Sequence, residues 1–448
     1  MMRARHGELE GKVAELEAKL KELEEKLNRP AKDCRNSSIP PSQTRKANQP
    51  AAASERATGR REASVGRTGG GRRLHPNPDQ FIVAKVRCCP HCGETIPEEA
   101  QQVQAVYDKI ELPPVKPVVT RVTQYGGQCP HCQEATVAPV PNGMEGGTPF
   151  GPSIQALATY FRYSHAISYE RLSALFQEVF DLSISEGALS NLFQSVKGRL
   201  ENQVSEILER LRSSRLVCSD ETSARVKGQT QWEWVFQNQE VCVHVIRPSR
   251  GHGVIWEVFG EQAQKPKIWV SDLFSAQRNH PAEQWQVCLA HQLRDCQFAL
   301  EAGDEVFAPV MKSMLLRSFV IHQRRDQLAE STLARYRRDL HHRLERCLER
   351  EPTNKHGIRL KKRYAKIKGN LFLFLEDAAI PPTNNSSEQA IRLSTIFRKV
   401  TNCFRSDWGR DLFAAVRSVV NTGRRQGLSA YQSILKVVGF NRSLFDPG

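Results

Sequence analysis

The sequence has no uninterrupted apolar run approaching the roughly 18–20 residues that a membrane-spanning helix requires, and it has only 12 cysteines in 448 residues. Its first thirty residues are charged and helical in pattern, so the apolar core of a secretory signal peptide is also missing. These absences exclude a membrane-spanning helix and a disulfide scaffold. We therefore expect a cytoplasmic protein without a membrane partner.

Positive charge is what the sequence has in excess. It contains 64 Lys and Arg against 49 Asp and Glu, a formal net charge of +15. Residues 28–80 carry +7 and residues 355–425 carry +10, so the rest of the chain is slightly acidic. Such an excess favours a polyanionic partner. With 39% apolar residues and about 150 residues per domain as a guide, the length predicts about three units with hydrophobic cores.

The N-terminal segment, residues 1–28, spaces its apolar residues by four and three in alternation: Leu9, Val13, Leu16, Leu20, Leu23 and Leu27. This narrow stripe is typical of a coiled-coil seam and predicts a leucine zipper that joins chains into a homodimer or larger assembly. The alternative is a lone amphipathic helix docked on its own protein. Residues 29–80 are rich in Pro, Ser and Gly and cannot bury a core, so they form either a passive linker or a tether that touches DNA phosphates.

Two cysteine pairs with the same internal sequence fall in residues 81–140. Cys89-Pro90-His91-Cys92 recurs as Cys129-Pro130-His131-Cys132, with 36 residues between the two pairs. Two such turns supply the four thiolates of a tetrahedral zinc site, and a closed four-cysteine shell is structural, not catalytic. The spacing therefore predicts a zinc ribbon, with strands running into the second pair. Ordinary free thiols are the alternative, and Cys88 offers a one-residue shift of register.

Residues 141–211 have a helical pattern that breaks at Asp181-Leu182-Ser183. Ser183 and Glu186 have the spacing of a capping box, which predicts the start of a second helix. Two short helices joined in this way form a helix-turn-helix-like DNA-binding domain, with the second helix in a major groove. A helical hairpin in an ordinary core has the same pattern, so both interpretations stay open.

Residues 212–440 have the element order of a ribonuclease H-like α/β core. Short β-rich runs at 216–218, 232–236 and 241–246 precede a helical stretch at 254–259, and a further buried strand at 267–271 ends in Asp272. In that fold the first and fourth strands are neighbours, which brings Asp220 close to Asp272. Two carboxylates at adjacent strand ends suit a pair of Mg²⁺ ions, which take oxygen ligands. Multidomain α+β is thus the predicted fold class.

A third acid is expected from a later helix that opens after Pro381-Pro382. We choose Glu388, with Ile391, Ile396 and Phe397 on the packing side of its helix. The competing explanation is a capping box between Asn385 and Glu388. The basic and polar residues on and after this helix favour a surface that grips a phosphate backbone, and they are Arg392, Arg398, Lys399, Asn402 and Arg405.

These motifs together resemble the IS66-type insertion-sequence transposases. The resemblance rests on Asp220-Glu221-Thr222 followed by Trp232-x-Trp234-Val235, on Cys288-x-Ala290-His291-x-x-Arg294, on Asn384-Asn385-x-x-Glu388-x-x-Ile391-Arg392 with Arg398-Lys399, and on the order of zipper, linker, zinc segment and core. It implies a DDE transposase whose triad Asp220, Asp272 and Glu388 holds Mg²⁺ or Mn²⁺. The family's second acid often stands in an Asp-Gly-Tyr context, whereas here Leu273 and Phe274 follow Asp272. Glu221 is the substitute for the first acid.

The resemblance also implies a reaction and its partners. Two Mg²⁺ ions held by the triad would activate water and then a DNA 3′-hydroxyl for in-line phosphoryl displacement. The partners are double-stranded DNA, as terminal inverted repeats and target, and accessory proteins of the same element. A bacterial transposase of this kind would be nucleoid-associated when it is bound to DNA.

A helical insertion is expected at about 283–375, including a helix over 284–300 and a very basic stretch over 331–368. We expect it to bind DNA. His291 and Arg294 lie three residues apart on one helix face, where they either approach the scissile phosphate or belong to a polar face packed on the core. Two other functions stay open: a catalytically inactive DNA-binding regulator derived from a transposase, and a structure-specific nuclease. Strand joining would separate both from a transposase.

Overall fold

The computed structural model describes residues 11–20 without 14 and 18, and residues 29–37, 72–141, 144–260, 265–352 and 354–446. The chain divides into two compact units, one formed by residues 50–118 and the other by residues 1–49 and 119–448. Nowhere in these described ranges does a helix have both the length and the apolar character needed to cross a bilayer.

In the smaller unit, described residues 72–118 have little regular secondary structure, with a 3-10 turn at Glu98–Ala100 and a β-bridge between Cys88 and Thr95. The first cysteine pair forms a tight turn: the amide of Cys89 donates to the Glu94 carbonyl at 2.8 Å, and the amide of Gly93 donates to the Cys89 carbonyl at 2.9 Å. Gly93 has a φ of +76°, a left-handed conformation that glycine adopts without strain.

The second cysteine pair, in the larger unit, repeats this turn. The amide of Cys129 donates to the Glu134 carbonyl at 2.9 Å, and the amide of Gln133 donates to the Cys129 carbonyl at 2.8 Å. Strands β1 (Gly126–Gln128) and β2 (Ala135–Val137) pair antiparallel on either side of the turn. Of the strands predicted to run into the second pair, β1 is present, whereas residues 118–125 before it form no strand.

The N-terminal segment is helical at residues 11–13, 15–17 and 19–20. The side chains of Val13, Leu16 and Leu20 are exposed there. Leu9, Leu23 and Leu27 lie outside the described residues, as do residues 38–71 of the basic stretch. The zipper and the tether therefore stay predictions.

Three helices precede the main sheet: α1 (Pro152–Ser164), α2 (Tyr169–Phe180) and α3 (Glu186–Arg212). The predicted break between α2 and α3 is confirmed, but the cap of α3 is Ser185, whose hydroxyl accepts the Ala188 amide at 3.1 Å. Capping by Ser183 was therefore wrong. The apolar face of α3 is buried in the same core as the sheet, so these helices pack on the sheet, and DNA reading by α3 stays a prediction.

Five strands form the main sheet: β3 (Leu216–Val226), β4 (Gln229–Gln237), β5 (Cys242–Arg247), β6 (Ile268–Ser271) and β7 (Gln284–Val287). Lys227 and Gly228 both have positive φ, the geometry of a two-residue hairpin turn, and they join β3 to β4. The order in the sheet is β5-β4-β3-β6-β7, with β3, β6 and β7 parallel. The expected adjacency of the first and fourth strands is confirmed.

Alternating side chains of the central strands enter two cores. Val217 and Trp269 lie in a core with α1–α3, with helix α4 (Gly253–Phe259) and with the C-terminal helices. Cys218, Ile268 and Val270 lie in a second core with helices that follow β7. The two-residue period of a strand therefore explains why both faces of β3 and β6 are covered.

The segment that the sequence predicts as a helical insertion begins with a strand. Residues 284–287 pair with β6 as β7, so the predicted helix over 284–300 was wrong at its start. Four helices follow β7: α5 (Leu289–Glu301), α6 (Ala308–Gln323), α7 (Glu330–Leu348) and α8 (Lys355–Ile367). A 3-10 turn at Ser275–Asn279 precedes β7, and three more lie at Arg325–Gln327, Lys368–Asn370 and Leu373–Leu375. Strand β7 was missed because it has only four residues, too few for the spacing of apolar residues to distinguish a strand from a helix.

Helices α9 (Asn385–Thr401), α10 (Asp407–Arg425) and α11 (Ala430–Ile434) complete the chain, with a π-helical turn at Leu435–Gly439. The hydroxyls of Thr422 and Ser418 on α10 accept the amides of Cys242 and His244, at 3.0 and 2.8 Å. Strand β5 is at the edge of the sheet, and α10 supplies acceptors for these backbone amides, which have no neighbouring strand to pair with. On α9, Phe397 is buried as expected, whereas Ile396 is 48% exposed and does not pack.

Candidate active site

Two of the three predicted acids meet where the parallel strands diverge. Cys218 of β3 pairs with Val270 of β6. Asp220 lies two residues further along β3, and Asp272 lies two residues after Val270, directly after the end of β6. Asp220 is inside β3, which continues to Val226 as a hairpin with β4, so its predicted place at a strand end was wrong. The parallel pairing nevertheless stops at Cys218, and both carboxylates stand at the same edge.

Asp220 is buried beside other carboxylates. Burial, followed by the neighbouring carboxylates of Glu221 and Asp272, raises the pKa of Asp220 well above its ordinary value. Both causes favour the neutral form of this carboxyl group. Asp272 is fixed in place by the amide of Phe274, which donates to its Oδ1 at 2.9 Å.

Glu221, the substitute for the first acid, is already occupied. Its side chain is 2% exposed, and its Oε1 accepts from Arg250 Nε at 3.2 Å and Nη2 at 2.9 Å. Its Oε2 accepts from Gln277 Nε2 at 2.7 Å. Both oxygens of Glu221 thus have side-chain donors, whereas Asp220 accepts the Glu221 backbone amide at its Oδ1, at 2.9 Å. Asp220 is therefore the better candidate for the available carboxylate of this strand.

Glu388 lies in the first turn of α9 and points to helix α5. Its Oε1 is 3.8 Å from His291 Nε2, and its Oε2 is 3.8 Å from Arg294 Nη2. The start of α9 has no side-chain capping hydrogen bond, so the capping-box explanation of Glu388 was wrong. Its Oε1 is buried without a hydrogen-bond partner among the described residues.

The first of the two asparagines before Glu388 has a role that the sequence did not reveal. Asn384 is fully buried, and its Nδ2 donates to the Ser219 carbonyl at 2.7 Å, beside Asp220. The backbone amide of Asn384 donates to the Cys288 Sγ at 3.1 Å. Asn384 thus fastens the start of α9 to β3 and to the end of β7, which explains why a polar side chain at this position is buried.

His291 is the common neighbour of the three acids. Burial opposes its charged form, but the neighbouring Cys288 and the carboxylates of Asp272 and Glu388 raise the pKa of His291 to about 9. His291 in turn lowers the pKa of Asp220. His291 and Arg294 therefore face the acid cluster as cations, and their contact with the scissile phosphate stays a prediction. The only sequence signal that could have assigned the Cys288 thiol to this site was its position three residues before His291.

The donors present suit a hard divalent cation, although the acids do not close around one. Within the described residues, no three His, Cys, Asp or Glu side chains stand close enough together to hold a metal ion. The buried Asp220 carboxyl beside other carboxylates and the unpartnered Glu388 Oε1 nevertheless fit a cation that takes carboxylate oxygens. The cysteine turns also fit their expected ion, because backbone amides of His91 and Cys92 lower the pKa of Cys89, and those of Cys132 and His131 lower the pKa of Cys129.

The remaining predicted DNA contacts lie along and after α9. Arg392, Lys399 and Arg405 are exposed, and Arg398 Nη1 donates to the Ser223 hydroxyl at 3.1 Å. Arg392 is one helical turn beyond Glu388, so it lies on the same face of α9. The structure therefore places Arg392 on the face of α9 that carries Glu388 and directs Arg398 to strand β3.

Comparison with known proteins gives one informative match. No curated protein matches the chain. Among solved structures, the Mos1 strand transfer complex is 13% identical over 30% of this chain and 55% of that one, with a TM-score of 0.12. The Mos1 transposase paired-end complex with left transposon end is 14% identical over 34% of this chain and 63% of that one, with a TM-score of 0.12. Likeness at this level supports no conclusion.

The model of the family described as "Transposase IS66 family" matches residues 147–411. This span is more than half of the chain, and it contains the sheet, the three acids and helices α1–α9. The resemblance first seen in the sequence motifs is thereby confirmed: the chain belongs to the IS66 family of transposases.

Proposed function

We propose that this transposase binds the ends of an insertion sequence and catalyses DNA strand cleavage and strand transfer through Asp220, Asp272 and Glu388. The proposal includes a ribonuclease H-like core, which the β5-β4-β3-β6-β7 order supports. The observation that carries it is the convergence of the three carboxylates on His291 at one edge of the sheet. Glu388 neither caps its helix nor makes a hydrogen bond to His291 or Arg294, which lie 3.8 Å away.

Mg²⁺ or Mn²⁺ bound by the three carboxylates would stabilise charge on the oxygens of an in-line phosphoryl displacement. The chain itself would orient the reacting groups. The amide of Phe274 fixes the Asp272 carboxylate, and Asn384 fixes the start of the helix that presents Glu388. No side chain of the site is needed as a covalent nucleophile.

His291 and Arg294 would contact a non-bridging oxygen of the scissile phosphate. Both now lie 3.8 Å from the Glu388 carboxylate, beyond hydrogen-bond distance, so neither is tightly bound to it. A cation within reach of a phosphate adds a charge-assisted hydrogen bond that orients the substrate. Release of Glu388 to a bound cation would leave these two side chains for the DNA.

Helix α8 supplies a candidate surface for the DNA backbone. It has six Lys or Arg residues and no acid. Arg359, Lys362 and Lys366 lie on one exposed side of it and have no ion-pair partner among the described residues. Like charges three or four residues apart destabilise a helix by about 0.2–0.5 kcal/mol per pair. A polyanion that lies along this stripe would remove that repulsion.

The remaining parts of the proposal concern assembly. Two transposon ends must be held together, which requires at least a homodimer, and the N-terminal heptad seam would supply contacts between chains. The four cysteines Cys89, Cys92, Cys129 and Cys132 would bind one structural Zn²⁺. Accessory proteins of the same element would complete the complex.

The test uses purified full-length protein, Mg²⁺ and a DNA that carries the element's terminal inverted repeats. We expect cleavage at the ends and strand joining to a target. Asp220→Ala, Asp272→Ala and Glu388→Ala should each abolish both reactions while DNA affinity is retained. Glu257→Ala is the control, because Glu257 is an acid paired with Arg247 on the surface, away from the site.

The outcomes separate the alternatives. Cleavage without joining would indicate a structure-specific nuclease, and binding alone would indicate a catalytically inactive regulator. An active Glu388→Ala enzyme would refute the assignment of the third acid.

A further inference from the structure

The acid that follows Asp220 has a separate task. Glu221 lies on β3, and its three hydrogen bonds come from two other segments: Arg250 in the loop after β5, and Gln277 in the 3-10 turn after β6. That turn belongs to the segment 272–279, which begins with Asp272. A single buried carboxylate therefore connects the strand of the first acid to the segment of the second.

Both donors to Glu221 are themselves held in place. The guanidinium carbon of Arg250 is 3.8 Å from the centre of the Phe274 ring and 4.4 Å from the centre of the Trp232 ring. The Oε1 of Gln277 accepts from Trp269 Nε1 at 3.3 Å. Stacking on two rings and a hydrogen bond from a buried indole restrict the two donors to one geometry.

Phe274 connects this arrangement directly to the second acid. Its ring stacks on Arg250, and its amide donates to Asp272 Oδ1 at 2.9 Å. The aromatic residue two positions after Asp272 thus places the carboxylate with its backbone and anchors the segment with its side chain. This accounts for an aromatic residue at that position.

We propose that Glu221 is a positioning residue, the centre of a brace with Arg250 and Gln277 that fixes the distance between Asp220 and Asp272. Its carboxylate does not bind the catalytic cation, because both oxygens are already hydrogen-bonded. This inference rests on the proposed function for the cation, but the brace itself requires no metal.

The brace is tested first by hydrogen exchange in the absence of metal. We expect the peptide that covers residues 272–279 to exchange at least tenfold faster in Glu221→Ala and Arg250→Ala than in the wild type. Arg247→Ala is the matched control, since Arg247 also makes an ion pair with a glutamate, at 2.6 Å, but with Glu257 instead of Glu221. Wild-type exchange in both variants would overturn the inference, whether or not the protein cleaves DNA.

Mn²⁺ binding, measured from the free-ion signal in electron paramagnetic resonance, then separates a positioning residue from a ligand. Glutamine retains an oxygen for Arg250, so Glu221→Gln should bind Mn²⁺ within about threefold of wild type, while Glu221→Ala binds about tenfold more weakly with unchanged stoichiometry. If Glu221→Gln lowered the affinity as much as Glu221→Ala, or removed a bound ion, Glu221 would be a ligand and the inference would be wrong. A wild type that binds no Mn²⁺ would count against the proposed metal site, and the exchange result alone would decide on the brace.

Discussion

A buried polar network fastens the helix of the third acid to the sheet, and its central residue is Glu233 on β4. Glu233 Oε1 accepts from the Ser394 hydroxyl on α9 at 2.7 Å and from His244 Nδ1 on β5 at 2.8 Å. Nε2 of His244 lies 2.8 Å from Nδ2 of Asn421 on α10. Ser394 lies six residues after Glu388, so we expect the loss of Glu233 to destabilise the fold and to loosen the active site.

The size of this loss follows from burial and from the number of bonds. Glu233 is 3% exposed and forms a buried ion pair with His244 at 2.8 Å. Its charge also favours the charged form of Arg417, which is 1% exposed and whose pKa burial lowers to about 10. Two hydrogen bonds to a charged acceptor contribute about 1.5–3 kcal/mol each. Breaking a buried ion pair on one side costs about 3–5 kcal/mol, so we expect Glu233→Ala to lower the free energy of unfolding by that amount.

Glu233→Gln separates charge from hydrogen bonding. Both observed bonds go to Oε1, which the amide oxygen of glutamine replaces. Only the charge is then lost, and because neutral acceptors contribute about 1 kcal/mol less per bond, the expected cost is about 2 kcal/mol. The control is Glu257→Ala, whose partner Arg247 is a third exposed, and an exposed pair contributes at most about 1 kcal/mol.

The assay is urea unfolding of the four proteins, followed by tryptophan fluorescence and circular dichroism. Strand cleavage at a temperature where each variant is folded would report on the position of α9. If Glu233→Ala lost no more stability than Glu257→Ala, the network would not stabilise the fold and the reasoning from burial would be refuted. Equal costs for Glu233→Gln and Glu233→Ala would mean that charge, not hydrogen bonding, carries the whole effect.

Three further predictions concern the acids, the cysteines and the basic helix. The folded-state pKa of Asp220 lies above its ordinary value of 3.8, so the wild type loses stability as pH rises from 3.8 towards the folded-state pKa. In thermal unfolding, Asp220→Asn should gain about 0.5–2 kcal/mol of stability at pH 7 and nothing below pH 3.8. An equal gain at both pH values would contradict this. Metal analysis should find about one zinc per chain, and Cys89→Ser or Cys132→Ser should reduce the zinc content, whereas Cys88→Ser should not. Loss of zinc from the Cys88 variant instead would mean that the register of the site is shifted by one residue. The double variant Lys362→Gln, Lys366→Gln should reduce the slope of the logarithm of DNA affinity against the logarithm of salt concentration by about 2. Lys361→Gln should leave this slope unchanged, because Lys361 pairs with Glu351 at 2.6 Å. An unaltered slope in the double variant would remove α8 from the interface.

Much of the fold could be predicted because it depends on local patterns. The β-rich runs before Asp220 and Asp272, and the break between α2 and α3, were visible in period and turn residues. Strand β7 was missed because four residues fit either period, and only pairing with β6 decides between them. Ile396 was misassigned because α9 is buried on a narrower face than its apolar residues suggest.

By itself, the sequence determined the family, the three candidate acids and the concentration of positive charge in residues 28–80 and 355–425. These are properties of residue type and spacing, which motifs record directly. Only the tertiary structure decided which acid is free and which is saturated, because Asp220 and Glu221 are adjacent in sequence and differ only in what other segments bring to them. Arg250 and Gln277 come from 29 and 56 residues away, and His291 reaches the three acids from a separate helix. Such contacts are set by how the chain folds back on itself, and therefore no local pattern encodes them.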